Sequence, residues 1–272
     1  MFRRHPPVAH GGSLLPCPMR RIHQAASWVV QRQGAALFRR PITYQEAFTQ
    51  AADDPVAFWG QQAGGVHWFK PPDKVLEDRR APFYSWFPGG VFNSCYNAVD
   101  RHVLEGRGEK VAVIYDSPLA GVQQSLTYGM LLDQVSTFAG ALAARGLGPG
   151  DHVTIYLPMV PQAVVAMLAC ARIGAVHSVV FGGFAAPELA KRMDDTRPKC
   201  VITSSCGFLG AGRTLEYKPI VDQAIALAAH KPEFCVVHQR APTMAALLPG
   251  RDVDWADFIR DAPPTACVPL HD

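Results

Sequence analysis

Two β-rich runs that each end in a glycine-bearing loop constrain the fold more than any other part of the sequence. The first run, 176–181, is followed directly by Gly182 and Gly183, and the second, 200–203, by a longer loop. Helical segments separate these runs from each other and from their neighbours, with short connections. Such alternation is typical of a parallel, doubly wound sheet. The sequence therefore predicts an α/β fold with helices on both faces of a mostly parallel sheet.

The two loops are the candidate binding elements. Loops at the carboxyl ends of neighbouring parallel strands lie at one edge of a sheet, where ligands bind, so we expect both to face one crevice. Glycines let the backbone approach a ligand, and a guanidinium suits phosphate. The helix expected after the second loop, and Lys218 near its start, would add positive potential. A purely structural role would also explain these residues, with the glycines forming a tight turn and Arg213 being an ordinary surface residue. The candidates are Gly182, Gly183, Gly210, Ala211, Gly212 and Arg213.

Charge is distributed unevenly along the chain. Residues 1–45 hold seven arginines and no Lys, Asp or Glu, whereas the whole chain has 26 basic and 23 acidic residues. An arginine-rich, acid-free start with amphipathic potential is typical of a mitochondrial transit peptide, although a disordered basic tail has the same composition. The remainder is mildly acidic and has no basic stripe, which argues against a nucleic-acid partner. No apolar run reaches the roughly 18 residues of a membrane span.

Several familiar catalytic patterns are missing from the sequence. It contains no G-x-G-x-x-G after a strand, no G-x-x-x-x-G-K-[ST], no G-x-S-x-G and no H-E-x-x-H. A dinucleotide-binding oxidoreductase is therefore disfavoured. The seven cysteines form no C-x-x-C pair, so we expect reduced, mostly buried thiols and predict no metal site. No catalytic residue is assigned from the residues alone.

The segment before the α/β region is rich in aromatic residues. Between residues 64 and 97, eight Trp, Phe and Tyr residues are interrupted by four prolines. This pattern predicts an extended segment draped over a larger body, with the aromatic side chains as packing anchors. Before it, Thr43 and Glu46 form a capping-box pattern at a helix start.

Long colinear stretches resemble the AMP-forming short-chain acyl-CoA synthetases, particularly their mitochondrial, propionate-using members. The stretches are NSCYNAVDRHV (93–103), IYDSP (114–118), LTYGMLLDQVSTFAGALAARGLGPGD (126–151), IYLPMVPQAVVAMLACARIGAVHSVVFGGF (155–184), PGRDVDWADF (249–258) and ACVPL (266–270). The resemblance implies a division into a transit peptide or disordered region at 1–41, an acetyl-CoA-synthetase-type N-terminal segment at 42–102, and part of an adenylate-forming, AMP-binding domain at 103–272.

The resemblance also implies an activity and a location. These enzymes join a short carboxylate to ATP, giving an acyl-adenylate and pyrophosphate, and the thiol of CoA then displaces AMP. Propionate is the expected acid, with acetate and butyrate as further substrates, Mg²⁺ as the companion of ATP, and the mitochondrial matrix as the location. By residue match, Gly182, Gly183 and the 210–213 loop contact CoA, although that loop is one residue longer than the family pattern.

Other motifs of the family do not occur in this chain. The Ser/Thr/Gly-rich phosphate loop, the adenine-side Y-G-x-T-E motif and the catalytic lysine of a C-terminal domain have no match here. We therefore expect the fold to be incomplete, the ATP and Mg²⁺ sites to be absent, and the chain alone to be inactive. The alternative function is that of a non-catalytic product, either a binding module or an unstable fragment.

Overall fold

The structure, a computed structural model, describes residues 42–210 and 212–271. The predicted transit peptide and Ala211 therefore lie outside the described residues. The chain divides into two compact units between Phe48 and Thr49. In the first unit, the capping box predicted for helix α1 (Tyr44–Asp53) is confirmed, because Thr43 N and Oγ1 both donate to Glu46 Oε2 at 2.9 Å and Glu46 N donates to Thr43 Oγ1 at 3.3 Å.

The second unit begins at Thr49, within α1, and continues into the aromatic segment. Helix α2 (Pro55–Ala63) leads into three two-residue strands, and Trp68 packs against the rings of Phe87 and Phe92 at centroid distances of 5.6 and 5.3 Å. The strands are β1 (Leu76–Glu77), β2 (Ser85–Trp86) and β3 (Val91–Phe92). The expected extended segment is thus present, but not all of its aromatic residues are anchors, because Phe83 and Tyr84 are 78% and 56% exposed.

A helical stretch with two π-type turns and an antiparallel ribbon follow. The turns span Tyr96–Asp100 and Val103–Arg107, and the ribbon consists of β4 (Val111–Ser117) and β5 (Val122–Thr127).

A five-stranded parallel sheet forms the centre of the second unit. Its order is β12-β11-β8-β6-β7, and every neighbouring pair is parallel. The strands are β6 (His152–Tyr156), β7 (Val176–Val179), β8 (Cys200–Ser204), β11 (Phe234–His238) and β12 (Asp252–Asp254). Strand β8 pairs with β6 rather than with β7, so β7 lies at one edge.

Helices cover both faces of this sheet, as predicted. Alternate side chains of β6 separate the two cores, since Ile155 joins one buried cluster and Tyr156 the other. The first face carries α3 (Tyr128–Ala144), α4 (Pro161–Ile173) and α7 (Trp255–Ile259). The second face carries α5 (Ala186–Thr196) and α6 (Tyr217–Leu227). The α/β, doubly wound fold class is therefore confirmed.

One prediction about local structure is wrong. The stretch after β8 is not an open loop but a β-hairpin, formed by β9 (Cys206–Gly210) and β10 (Arg213–Glu216). Its glycines are typical of a loop, yet Gly207 pairs with Leu215 and Phe208 with Thr214 in an antiparallel ladder. The backbone hydrogen bonds of the stretch are thereby satisfied without the main sheet.

The end of the described chain returns to the aromatic segment. Strand β13 (Leu270–His271) pairs antiparallel with β3, with Leu270 opposite Phe92. Among residues 42–210 and 212–271, no helix has both the length and the apolar character that crossing a bilayer would need.

Candidate functional site

The Gly182-Gly183 turn is held by a buried tyrosine from the central sheet. The hydroxyl of Tyr156 donates to Phe184 O at 2.7 Å and lies 3.3 Å from Gly182 O. Burial raises the pKa of this hydroxyl to about 12, so it remains a donor at physiological pH. The carbonyls of the turn are thus engaged on the protein side.

A second tyrosine explains why residue 182 is glycine. A Cβ at Gly182 would lie 2.1 Å from the hydroxyl oxygen of Tyr217, the first residue of α6. A Cβ at Gly207, in the hairpin, would lie 2.7 Å from the same ring. Tyr217 therefore packs between the turn after β7 and the root of the hairpin, which brings both predicted loops to one region. Neither Tyr217 nor Gly207 was among the residues predicted from sequence.

The exposed surface beside the turn is aromatic. Phe181 is 73% exposed, and its ring would be 2.5 Å from a Cβ at Gly183. It meets the ring of Phe184 edge-on, with 5.9 Å between centroids. An apolar face therefore borders the glycine backbone. From the sequence, Phe181 was identified only as the end of a strand.

Arg213 lies at the distal end of the hairpin. It is exposed, begins β10 and pairs with Gly210. Gly210 (φ 132°) and Gly212 (φ 70°) have backbone angles that L side chains rarely adopt, and no atom lies within 4 Å of a Cβ built on either. Within the described residues, no carboxylate forms an ion pair with Arg213, so its charge is available to an anion.

A second arginine fixes the root of the hairpin. The guanidinium carbon of Arg240 lies 5.2 Å from the centroid of the Phe208 ring, and its nitrogens donate to Cys206 O at 3.3 Å and Tyr115 Oη at 3.4 Å. Its backbone N donates to Ser205 Oγ at 2.9 Å. Because these donors have protein acceptors, Arg240 orients the hairpin.

Two parts of the predicted anion site are wrong. Lys218 does not face the loop, because its side chain is buried and its Nζ lies 2.7 Å from Asp222 and 2.8 Å from Asp252. Helix α6 does not follow Arg213 directly, since the remaining three residues of β10, 214–216, intervene, so its amino terminus adds little there. The hairpin alone therefore presents Arg213.

A group of potential metal ligands occurs elsewhere in the described chain. Cys95, Asp100 and Cys267 have ligand atoms within 4.8 Å of one another. The sequence analysis predicts no metal site, and for this cluster that statement stays a prediction.

Comparison with known proteins identifies the family. Residues 100–266 match the family described as AMP-binding enzyme, which is more than half of the chain. The chain belongs to the AMP-binding enzyme family. Residues 44–98 match the family described as acetyl-coenzyme A synthetase N-terminus. The boundaries predicted at 41/42 and 102/103 stay predictions.

Individual relatives agree with this assignment. The chain is 47% identical over 229 residues to human acyl-CoA synthetase short-chain family member 3, mitochondrial, covering 84% of this chain and 33% of the relative. It is 40% identical over 215 residues to propionate–CoA ligase of Salmonella typhimurium, covering 79% and 34%. It is 51% identical over 229 residues to an uncharacterized protein of Pseudomonas aeruginosa, covering 84% and 36%. The chain thus spans about a third of the length of these relatives.

A solved structure shares the fold. Acetoacetyl-CoA synthetase from Streptomyces lividans superposes with a TM-score of 0.74 at 25% identity, covering 85% of this chain and 35% of that one. The adenylate-forming fold expected from the sequence is therefore confirmed.

Proposed function

We propose that this chain is the N-terminal part of an AMP-forming short-chain acyl-CoA ligase that makes acyl-CoA from a carboxylate, ATP and CoA through an acyl-adenylate. The observation that carries the proposal is the 47% identity, across 84% of the chain, to an acyl-CoA synthetase of the short-chain family. Propionate is the preferred acid, supported by the name of the Salmonella relative, with acetate and butyrate as further substrates.

The contribution of this chain is one wall of the CoA site. Gly182 and Gly183 bring backbone close to the ligand, and the 210–213 tip of the hairpin brings a charge. Arg213 supports this role because it is exposed and its guanidinium can donate paired hydrogen bonds to phosphate oxygens. The exposed ring of Phe181 offers an apolar surface beside Gly183.

Adenylation itself depends on other parts of the enzyme. The phosphate-loop pattern that the family uses does not occur in these 272 residues, and we assign none of them to ATP or Mg²⁺. A transition state at phosphorus needs preorganised charge, so we expect the chain on its own to bind CoA without forming a thioester.

The mitochondrial names of the relatives support a mitochondrial location, and we propose the matrix.

Arg213→Ala tests the CoA wall. We expect CoA to bind the variant about 10- to 100-fold more weakly, because one charge-assisted phosphate contact is lost. Isothermal titration with CoA and with pantetheine, which lacks the phosphates, measures this, and pantetheine should not distinguish the two proteins. Arg192→Ala removes an exposed arginine from helix α5 and serves as the matched control. Unchanged CoA affinity in Arg213→Ala would refute the role of Arg213.

The ligase activity is tested on the protein from its own source. An antibody raised against residues 42–271 captures the native protein, which is then assayed for CoA-thioester formation from propionate, acetate or butyrate with ATP and Mg²⁺. Because the proposal makes this chain the N-terminal part of a longer ligase, we expect activity in the captured protein, highest with propionate. A captured protein that binds no CoA and forms no thioester would instead favour the alternative, a non-catalytic product. Exposed Val176 and Val179 on the edge strand β7 would suit a partner in that case.

A further inference from the structure

Two cysteines far apart in sequence meet around one buried arginine. The side chain of Arg172, at the end of α4, is 5% exposed and forms a two-pronged ion pair with Asp100, with nitrogen–oxygen distances of 2.7 and 3.0 Å. Its Nη1 also donates to Cys267 Sγ at 3.1 Å and lies 3.6 Å from Cys95 Sγ. The two sulfur atoms lie within 4.8 Å of each other, and Cys267 Sγ also donates to Asp100 Oδ2 at 3.6 Å. The proposed CoA site uses none of these groups.

The backbone holds the two thiols in register. Strands β3 and β13 pair Leu270 with Phe92, and the same register extended by three residues places Cys95 opposite Cys267, although the chain turns into a helix at residue 94. Asn93 Nδ2 lies 2.9 Å from both Ala171 O and Val268 O. Both cysteine segments are therefore tied to the end of α4, and the sulfurs are brought together by structure that does not involve a covalent bond.

The positions of the charges favour thiol chemistry over a metal ion. Arg172 already places a cation against Asp100 and both sulfurs, so a divalent ion would meet like charge at short range. The proximity of Cys267, together with Arg172, lowers the pKa of Cys95, whereas the proximity of Cys95 and burial raise the pKa of Cys267. A negative charge on either sulfur lies against the guanidinium of Arg172.

We propose that Cys95 and Cys267 form a reversible disulfide on exposure to a hydroperoxide, joining the aromatic N-terminal segment to the segment that follows the AMP-binding match. The two residues lie outside the span of that match, at its two ends, since it covers residues 100–266. A bridge here closes the whole span between them into one covalent loop. The modification is independent of CoA binding.

The chemistry balances with hydrogen peroxide as the oxidant. Cys95 is fully buried and Cys267 is partly exposed, so the peroxide meets Cys267 first. The Cys267 thiol loses its proton, its sulfur attacks a peroxide oxygen, and the departing hydroxide takes up that proton, giving a sulfenic acid and water. Cys95 then attacks that sulfur, and the departing hydroxide takes up the remaining proton as a second water. Two thiols are oxidised and one peroxide is reduced.

Peptide mapping of the 272-residue chain tests the proposal. The reduced protein is treated with hydrogen peroxide, its remaining thiols are alkylated, and it is digested without reductant. We expect most molecules to yield a Cys95 peptide joined to a Cys267 peptide, lighter than the two free peptides by two hydrogen atoms. Dithiothreitol should restore both free peptides.

Serine variants provide the controls. Cys95→Ser and Cys267→Ser should abolish the joined peptide. Cys206→Ser should leave it unchanged, because a hydroxyl can keep the bond that the Cys206 thiol donates to Arg240 O at 3.4 Å. The wild-type map decides the question even if a variant fails to fold. Recovery of Cys95 and Cys267 as separate alkylated peptides, a bridge to another cysteine, or oxidation ending as sulfinic acid on Cys267 would each overturn the proposal.

Discussion

Tyr217 shows how a single side chain sets the identity of residues distant in sequence. Its hydroxyl occupies the space where a Cβ at Gly182 would lie, and its ring occupies the corresponding space at Gly207. The glycine that the sequence indicated as a ligand contact is therefore also required by packing. This packing is compatible with a ligand contact at the turn, because Gly183, next to Gly182, is exposed.

Gly182→Ala is expected to destabilise the fold by about 2 kcal/mol, because the new methyl group overpacks the site against Tyr217. Chemical denaturation measures the change in the free energy of unfolding. In a Tyr217→Phe background the penalty should shrink, since the closest contact, the hydroxyl oxygen, is gone. Gly148→Ala is the control, because no atom lies within 4 Å of a Cβ there. Equal penalties in both backgrounds would contradict this explanation.

Sequence reasoning recognised Gly182 and Gly183 as candidates but missed Gly207 and their common neighbour Tyr217. The strand ends and the Gly182-Gly183 pair could be recognised because they are local sequence patterns. That Tyr217 reaches Gly182 depends on the hairpin returning the chain to the sheet edge, and no local pattern carries that information. The same limit explains the error at Lys218, whose carboxylate partner Asp252 belongs to a strand formed later in the chain.

At the level of elements, a buried charge network joins α6 to β12. Asp252, whose side chain is 0% exposed, contacts Lys218 at 2.8 Å and Arg251 at 2.7 Å. Burial alone would raise the pKa of Asp252, but the hydrogen bonds from Arg251 and Lys218 lower it below its ordinary value. Removing one member of the network leaves a buried charge without a partner. The free-energy cost of that unpaired charge exceeds the stabilisation that the ion pair provides.

Asp252→Asn should cost about 3 kcal/mol of unfolding free energy at pH 7, because Lys218 loses a buried partner. The stabilisation by Asp252 is present above its unfolded-state pKa and is lost as the pH falls through its lowered folded-state pKa. The difference in the free energy of unfolding between the variant and the wild type should therefore become smaller as the pH is lowered toward about 3. Urea titrations at both pH values measure it.

Asp257→Asn is the matched control, because Asp257 forms only an exposed pair with Arg260. It should change the free energy of unfolding by about 0.5 kcal/mol or less. Near wild-type stability of Asp252→Asn at pH 7 would show that the network contributes little.

The elements themselves were largely predictable, and their order was not. The predicted run 200–203 lies within one residue of β8, and the run 176–181 begins at the first residue of β7, since both are rich in β-forming residues. The placement of β8 beside β6 instead of β7 depends on long-range pairing. The hairpin was missed because Gly207 and Gly210 interrupt the apolar alternation that indicates a strand.

At the scale of the whole molecule, stability should depend on histidines that are kept neutral by the fold. Burial lowers the pKa of His238, at the end of β11, to about 4, and Arg240 adds to the effect. Burial also lowers the pKa of His177. Because the unfolded chain binds protons at these positions near pH 6.5 and the folded chain does not, acidification favours unfolding.

As the pH falls from roughly 6.5 to 4, we expect protonation of His238 in the unfolded state to lower the free energy of unfolding by about 2–4 kcal/mol. Over this range only the unfolded state is protonated at this position. Above pH 6.5 both states are neutral and the effect vanishes. Denaturation across this range in wild type and His238→Gln measures it, and the variant should show a shallower pH dependence. Identical slopes in the two proteins would contradict the assignment.

The hairpin has a consequence for length variation. Between the pairs Arg213–Gly210 and Thr214–Phe208 the register shifts, which leaves Leu209 as an additional residue in a β-bulge. Since β9 and β10 form a sheet of their own, an inserted or deleted residue changes this ladder and leaves the five parallel strands in register. The tip that carries Arg213 can thus lengthen by single residues, and reposition its charge, without any accommodation in the core.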